Sequence, residues 1–435
     1  MMKKIIFFIK QNFQFFIFLL VAFFMPITKD FLPLLMFLWV ISGLLTIRKI
    51  RFNYSKLQWL LLFMPGIFYL IHVMGMIHTS DLQNGWFDLE VKLSFLFAPV
   101  VLLFLTDKVK RNFGLIVKAF VLGNIIALAI YLFYALDQSI IYNEAGKLVF
   151  EPAYLISKQN MSFFELINQR YSHFSYSSFS FIHHPSYFSM YVLFTICIIV
   201  YFFRRYKNRI SVSAILVFSV VLIFLSIMIW FLGSRAGYLA LIVLFLGFII
   251  LYMLKSQRYL LSLGLVITGF LVLIVFMNPR LKKNIHEIIT QVENQHELTT
   301  ESDIRLWLWK SGVEVFQENY LWGVGIGDIN NEMIEKYRQY NLSVALRKNY
   351  NLHNQYLESA LGLGVGGLLI LFLWFLLLLI YAINTKDFLL FFFTLIVYIN
   401  FMFESMLNSI AGVSFFTFFY VLLIGANNTL IRESN

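Results

Sequence analysis

The segment NLHNQYLESALGLGVGG, residues 351–367, opens on a His-Asn pair and runs straight into an apolar stretch of helical length. An imidazole near its ordinary pKa can take a proton from a hydroxyl at physiological pH, so His353 is the sharpest candidate for a general base. Asn354 stands where it can orient a ligand or the ring. Glu358 lies five residues beyond His353, a helical spacing that does not favour direct contact. Arg235, in FLGSRAGYLAL, interrupts an otherwise apolar run. It reads either as the turn of a plain hairpin or as a fixed cation for an anionic ligand. The planar guanidinium stays charged and offers phosphate two parallel hydrogen bonds. Arg305 offers the same chemistry, against the plainer reading of a solvated surface residue. His183 and His184 precede Pro185, where a helix should begin, and one of the two can face the same side. Glu404, in FESMLNSIAG, lies near Asn408 and can line the same cavity.

Other motifs point less far. Asp88 and Glu90 form a two-apart acidic pair of the kind that holds a divalent ion in some membrane glycosyltransferases, but alone they imply no metal, and none is expected. Gly323, Gly325 and Gly327 only superficially resemble a phosphate loop, because no strand precedes them. Gly362, Gly364, Gly366 and Gly367 suit close approach between membrane helices. His72 and His78 read as packing or interfacial residues, and His286 and His296 as solvated loop. Arg338, Arg347 and Lys348 read as ordinary loop charges. The lone Cys197 excludes an internal disulfide.

These groups need a membrane scaffold. The 435 residues are 60% hydrophobic and 13% charged, against about 45–50% and 25% in soluble domains. A hydrocarbon core of about 30 Å needs roughly 20 apolar residues per helix. Qualifying segments lie near 8–26, 31–47, 57–78, 89–106, 113–137, 185–203, 211–232, 236–254, 259–277, 355–383, 388–403 and 413–430. The expectation is therefore an all-α polytopic membrane protein of about 12 transmembrane helices, its first span uncleaved. Lys and Arg concentrate in alternate short loops, among them 48–56, 108–111, 204–209 and 255–258. By the positive-inside rule those loops and both termini are cytoplasmic. The net charge of +11 is thereby explained without nucleic acid. Residues 1–277 are then nine membrane helices with an external loop near 138–184. Residues 278–354 form a large external cap between helices 9 and 10, and 355–435 carry the last three spans. Within the cap, ESDIRLWLWKSGVEVFQENY puts Ile304, Leu308, Ser311 and Val315 on one helical face, with Thr300 or Ser302 as N-cap. Trp307 and Trp309 suit a helix at the membrane interface, and NEMIEKYRQY reads as a second helix.

His353-Asn354, nine intervening residues and Gly364-x-x-Gly367 resemble the signature of the O-antigen ligase and O-antigen polymerase superfamily. Arg305 followed by LWLWKSGVEVFQENYLWGVGIGD is similar to that family's arginine, amphipathic helix and glycine turn. Ser234-Arg235-Ala236-Gly237 resembles its external Ser-Arg hairpin. HPSYFSMY and ESMLNSIAGVSFFTFF are similar to one branch of it. The resemblance covers roughly residues 175–425 and is strongest over 230–370; the first 170 residues match in topology alone. Tyr320-Leu321 departs from the pattern, where a proline is common.

The resemblance implies a cofactor-free, metal-independent, inverting glycosyl transfer on the periplasmic face of the bacterial inner membrane. The donor it implies is a glycan on undecaprenyl diphosphate, and the acceptor lipid A–core or a second lipid-linked glycan. Arg235 and Arg305 would bind the diphosphate, and His353 would activate the acceptor hydroxyl. Asn354, His184 and Glu404 would support the cavity, with Gly364 and Gly367 as motif glycines. Ligase activity is the leading expectation and polymerase activity the alternative. Protein O-glycosylation and lipid-linked glycan export are more distant. Transporters place substrate near mid-membrane between repeated halves; here the polar residues cluster at one edge and no half-repeat is visible.

Overall fold

A computed structural model describes residues 2–47, 54–142, 148–150, 163–167, 172–206, 211–253 and 301–430. The expected ninth span (259–277), His286, His296, the Thr300 cap and the basic loops at 48–53, 207–210 and 255–258 lie outside these residues. The helices are α1 (Met2–Phe24), α2 (Leu32–Leu45), α3 (Lys56–Gly75), α4 (Leu82–Leu103), α5 (Asp107–Arg111) and α6 (Phe113–Ser139). After them come α7 (Phe163–Ile167), α8 (Tyr176–Phe179), α9 (Pro185–Tyr206), α10 (Val212–Leu232) and α11 (Arg235–Met253). The last group is α12 (Glu301–Glu318), α13 (Ile329–Gln339), α14 (Ser343–Lys348), α15 (Gln355–Asn384), α16 (Phe388–Phe401) and α17 (Ile410–Leu430).

A helix stands at every other expected span. Among the described residues, Lys56–His78, Phe113–Ser139, Pro185–Tyr206 and Gln355–Asn384 can each cross a bilayer by length and composition, and six further apolar helices are shorter. The all-α expectation needs one amendment. Ile140–Tyr142 (β1) pairs antiparallel with Leu148–Phe150 (β2), Ile140 opposite Phe150. Both strands are rich in the β-branched and aromatic residues that suit a pleated surface.

The chain divides into two compact units: residues 1–120 with 296–435, and residues 121–295. In the first, α3 and α4 pack together, α17 covers α4, and α15 lies against α3 and α16. Its centre is aromatic. The buried Trp374 ring meets Phe68 and Phe95 at 5.6 Å, Phe416 at 4.9 Å and Tyr420 at 5.4 Å. α4 starts at Leu82, ahead of the expected fourth span near 89–106, and so takes in Asp88 as well as Glu90 and Lys92. Asp88 pairs with the fully buried Lys92 one turn on, whereas Glu90 is exposed. Two residues apart on a helix, the two acids face different ways and make no common site. In the second unit, α10 and α11 pack on the largely buried α9.

Residues 301–354, within the segment expected as the cap, carry helices α12–α14 around one apolar core. Ile304, Leu308, Ser311 and Val315 are all buried, as their periodicity predicts. Ile304, Leu308 and Val315 pack with Met333, Tyr337, Leu342, Ala345 and Leu352, and the cluster continues into Leu361 of α15. Ser302 lies inside α12 rather than capping it. Trp307 and Trp309 are partly buried and pack against this core. On the outer face Lys310 lies 4.5 Å from the Trp307 ring centre, and Glu314 accepts the Tyr340 hydroxyl at 2.6 Å. That bond pushes the Tyr340 phenol above its usual range. Arg338, Arg347 and Lys348 are exposed.

The cap is seated by a break in α15. Gly364 has φ 65° and ψ −158°, a region essentially confined to glycine. An unbroken helix would pair the Leu361 carbonyl with the Val365 N–H. Instead the Leu361 carbonyl accepts from Val324 N at 2.8 Å, and Val365 N donates to the Tyr320 carbonyl at 2.7 Å. The glycine turn thus supplies both groups that the break exposes. Close approach at Gly362 and Gly364 is to this turn rather than to another membrane helix, and Gly366 faces open space. Gly327 N reaches Thr79 Oγ1, while the Asp328 carboxylate accepts from Ser80 N at 2.6 Å and Asp81 N at 2.8 Å. Asp328→Ala strands two backbone donors, each worth about 1–3 kcal/mol when left unpaired in a buried place. Thermal unfolding in detergent should show a loss toward the lower end of that range, because water can reach the Ser80–Asp81 turn.

Candidate active site

His353 sits at the seam between cap and membrane helix. Its φ of 47° places it in the left-handed region, uncommon for a residue with a side chain. Neighbours hold that turn. Asn351 Oδ1 accepts from His353 N at 3.0 Å, Trp309 Nε1 donates to the Leu352 carbonyl at 3.0 Å, and the Tyr337 hydroxyl donates to the Tyr350 carbonyl at 3.1 Å. Asn354 then starts α15. Its side-chain oxygen accepts from Tyr356 N at 3.0 Å and Leu357 N at 3.1 Å, the contacts of a helix N-cap. The oxygen expected to orient a ligand or the imidazole is therefore engaged by the helix.

The imidazole is oriented by Glu404. His353 Nδ1 lies 2.8 Å from Glu404 Oε2. Arg305 holds the other carboxylate oxygen, Nη2 to Oε1 at 3.2 Å, and its Nη1 donates to the Phe403 carbonyl at 3.1 Å. The Glu404 side chain is 5% exposed, Arg305 19% and His353 18%, so the ring keeps access to solvent while its partner does not. With Nδ1–H donated to a carboxylate, the proton-free nitrogen is Nε2, which can accept from a hydroxyl. Arg305 and Trp309 are four residues apart on α12 and project from one face. One cap helix therefore grips both strands of the pair, Phe403-Glu404 and Leu352-His353.

A second polar cluster lies alongside. The Glu358 carboxylate, 6% exposed, accepts from Ser405 Oγ at 3.0 Å and Asn408 Nδ2 at 2.8 Å. As its spacing indicated, it does not bond to His353.

Arg235 and His184 belong to the second unit. Gly233, with φ 57°, ends the hairpin turn after α10. Ser234 Oγ then accepts from Gly237 N at 3.1 Å, capping α11, whose first residue is Arg235. The Arg235 guanidinium is thereby carried at a helix N-terminus, where both its own charge and the helix dipole favour an anion. Ser234 Oγ also reaches Ser186 Oγ at 3.4 Å, tying the hairpin to the start of α9. Of the two adjacent histidines His183 is buried and His184 exposed. His184 Nδ1 lies 3.4 Å from Ser186 N and its Nε2 3.3 Å from the Tyr176 hydroxyl.

Residues 220–372 match the family model for O-antigen ligase. Over this stretch the chain is similar to O-antigen ligases. The superfamily match spans Arg235, Arg305, His353, Asn354, Gly364 and Gly367, and leaves out His184 and Glu404. It brings with it the coarse reading of a multi-pass membrane enzyme of the O-antigen ligase and polymerase type, handling lipid-linked glycans. No curated protein matches the chain. Among the described residues, no cluster of three or more His, Cys, Asp or Glu is arranged to hold a metal ion. The links that sequence reasoning missed are Trp309, Tyr337 and Asn351. Of these only Asn351 adjoins His353 in sequence, among the polar and aromatic residues around position 350.

Proposed function

We propose that this protein transfers a glycan from undecaprenyl diphosphate to an acceptor hydroxyl with inversion, and that the acceptor is lipid A–core. The observation that carries the reading is the His353–Glu404–Arg305 chain, a base oriented by a carboxylate that an arginine holds in turn. The acceptor hydroxyl gives its proton to His353 Nε2 as its oxygen attacks the anomeric carbon. The bond from that carbon to the diphosphate breaks, and the diphosphate leaves with the electron pair. In this scheme Arg235, and the guanidinium N–H groups of Arg305 that Glu404 and Phe403 leave over, take up the developing negative charge. The reaction is assigned to the periplasmic face of the inner membrane with both termini cytoplasmic, the arrangement favoured by the distribution of Lys and Arg.

The deciding experiment is a gel of lipopolysaccharide from a deletion strain with its lipid-linked intermediates. Bare core, with long glycan accumulating on undecaprenyl diphosphate, is the expected result. Core capped by a single repeat unit identifies a polymerase instead, and an unchanged ladder overturns both. Arg235→Ala should weaken donor binding at least tenfold, toward the loss typical of a charge-assisted hydrogen bond, about 1.5–3 kcal/mol. Titration of the purified variant with undecaprenyl diphosphate checks this; unaltered affinity reduces Arg235 to a hairpin residue.

A further inference from the structure

Glu358 has no part in the scheme above, yet it is a buried acid beside it. Burying a carboxylate is costly unless its oxygens are matched, and an apolar residue of the same volume is often at least as stable. What Glu358 touches suggests why the position holds an acid. Oε2 accepts from Ser405, the residue after Glu404, and Oε1 accepts from Asn408, four residues after it. Gln355, one turn earlier on the same helix, accepts from Leu407 N through its side-chain oxygen at 2.6 Å. The 404–408 segment is a tight turn, with Met406 N bonded to the Glu404 carbonyl and Asn408 N to the Ser405 carbonyl. Behind Asn408, its Oδ1 lies 3.5 Å from Lys92 Nζ, and Lys92 is itself paired with Asp88.

The first turn of α15 therefore sets both members of the catalytic pair. Asn354 fixes the backbone that presents His353, and Gln355 with Glu358 fixes the turn that presents Glu404. We propose that Glu358 is a positioning residue, whose carboxylate clamps Ser405 and Asn408 so that Glu404 meets His353 Nδ1. The inference rests on the reading of His353 and Glu404 as the working pair, and acts on the pair through the turn rather than through substrate. Its two acceptor oxygens match two donors on one turn, which neither an alanine nor an aliphatic side chain reproduces. Glutamine keeps an oxygen for Asn408 and offers an amide N–H to the Ser405 hydroxyl.

The test is imidazole ¹⁵N NMR of the full-length, histidine-labelled protein in detergent micelles, with the His353 signals assigned by their loss in His353→Gln. The wild type should show a single His353 tautomer protonated at Nδ1. Glu358→Ala should convert this to a mixture of tautomers while the signals of His183, which belongs to the other compact unit, stay in place. Glu358→Gln should restore the single tautomer. If Glu358→Ala does not fold, Ser405→Ala, which removes one of the two clamps, should give a smaller change in the same direction. An unaltered His353 tautomer in every folded variant overturns the proposal. Because no substrate enters the measurement, its outcome is separate from that of the lipopolysaccharide gel.

Discussion

Glycan transfer by His353→Ala should fall by about 10²–10⁴-fold, the usual contribution of a general base. The protein should still insert and fold, because His353 is held mainly through its backbone: its N–H bonds to Asn351, and the adjoining Leu352 carbonyl to Trp309. Removing the ring also leaves Glu404 with Arg305, so the carboxylate does not become an unpaired buried charge. Donor binding should change little, since the imidazole faces the acceptor in this mechanism. The measurement is the rate of glycan attachment by purified wild type and variant at equal loading, with donor affinity measured separately. Normal transfer by a well-inserted variant would remove His353 from the mechanism. A tenfold loss of donor affinity with an unchanged maximal rate would instead place it on the donor side.

Gly364→Ala is expected to be severely damaging for so small a substitution. A side chain must adopt φ 65°, ψ −158°, at a strain of about 1–3 kcal/mol. The added methyl group would also lie 2.3 Å from the Leu321 carbonyl oxygen and 2.8 Å from Trp322 N, both backbone atoms of the turn seated there. Neither can swing away as a flexible side chain would, and overpacking of this kind costs about 1–3 kcal/mol more. The helix can relieve both costs by closing the 361–365 hydrogen bond, which expels the cap turn. Limited proteolysis should then cut near 319–328 in the variant and not in the wild type, while helical content is almost unchanged. Gly366→Ala is the matched control, because a methyl group there meets nothing within 4 Å.

What could be read in the sequence followed the strength of each physical signal. Long apolar runs announced α3, α6, α9 and α15, and the 3–4 spacing of Ile304, Leu308, Ser311 and Val315 announced the buried face of α12. His353 stood out because a titratable group at the mouth of an apolar helix needs a reason. Glu404 was placed near the same cavity, but its bond to His353 was not legible. Glu404 is 51 residues away in sequence, and no local pattern reports a contact made by the packing of helices. The roles of Asn354 and of the glycines were visible as positions but not as functions. A side-chain oxygen that caps a helix and one that orients a ligand look alike in a sequence. So do a glycine that admits a neighbouring helix and one that breaks its own. Asp88, Glu90 and Lys92 interrupt the apolar signal, so the start of α4 at Leu82 was not legible in the sequence.

The grip of α12 on both halves of the proposed His353–Glu404 pair has a consequence for how the protein should fail. Arg305 and Trp309 reach Phe403-Glu404 and the Leu352 carbonyl from a helix that belongs to the cap, not to the aromatic core around Trp374. Loosening the cap would separate acid from base while leaving that core intact. On warming, inactivation should therefore precede melting: catalytic competence ends when the cap lets go, at a temperature where the helices that cross the membrane are still whole.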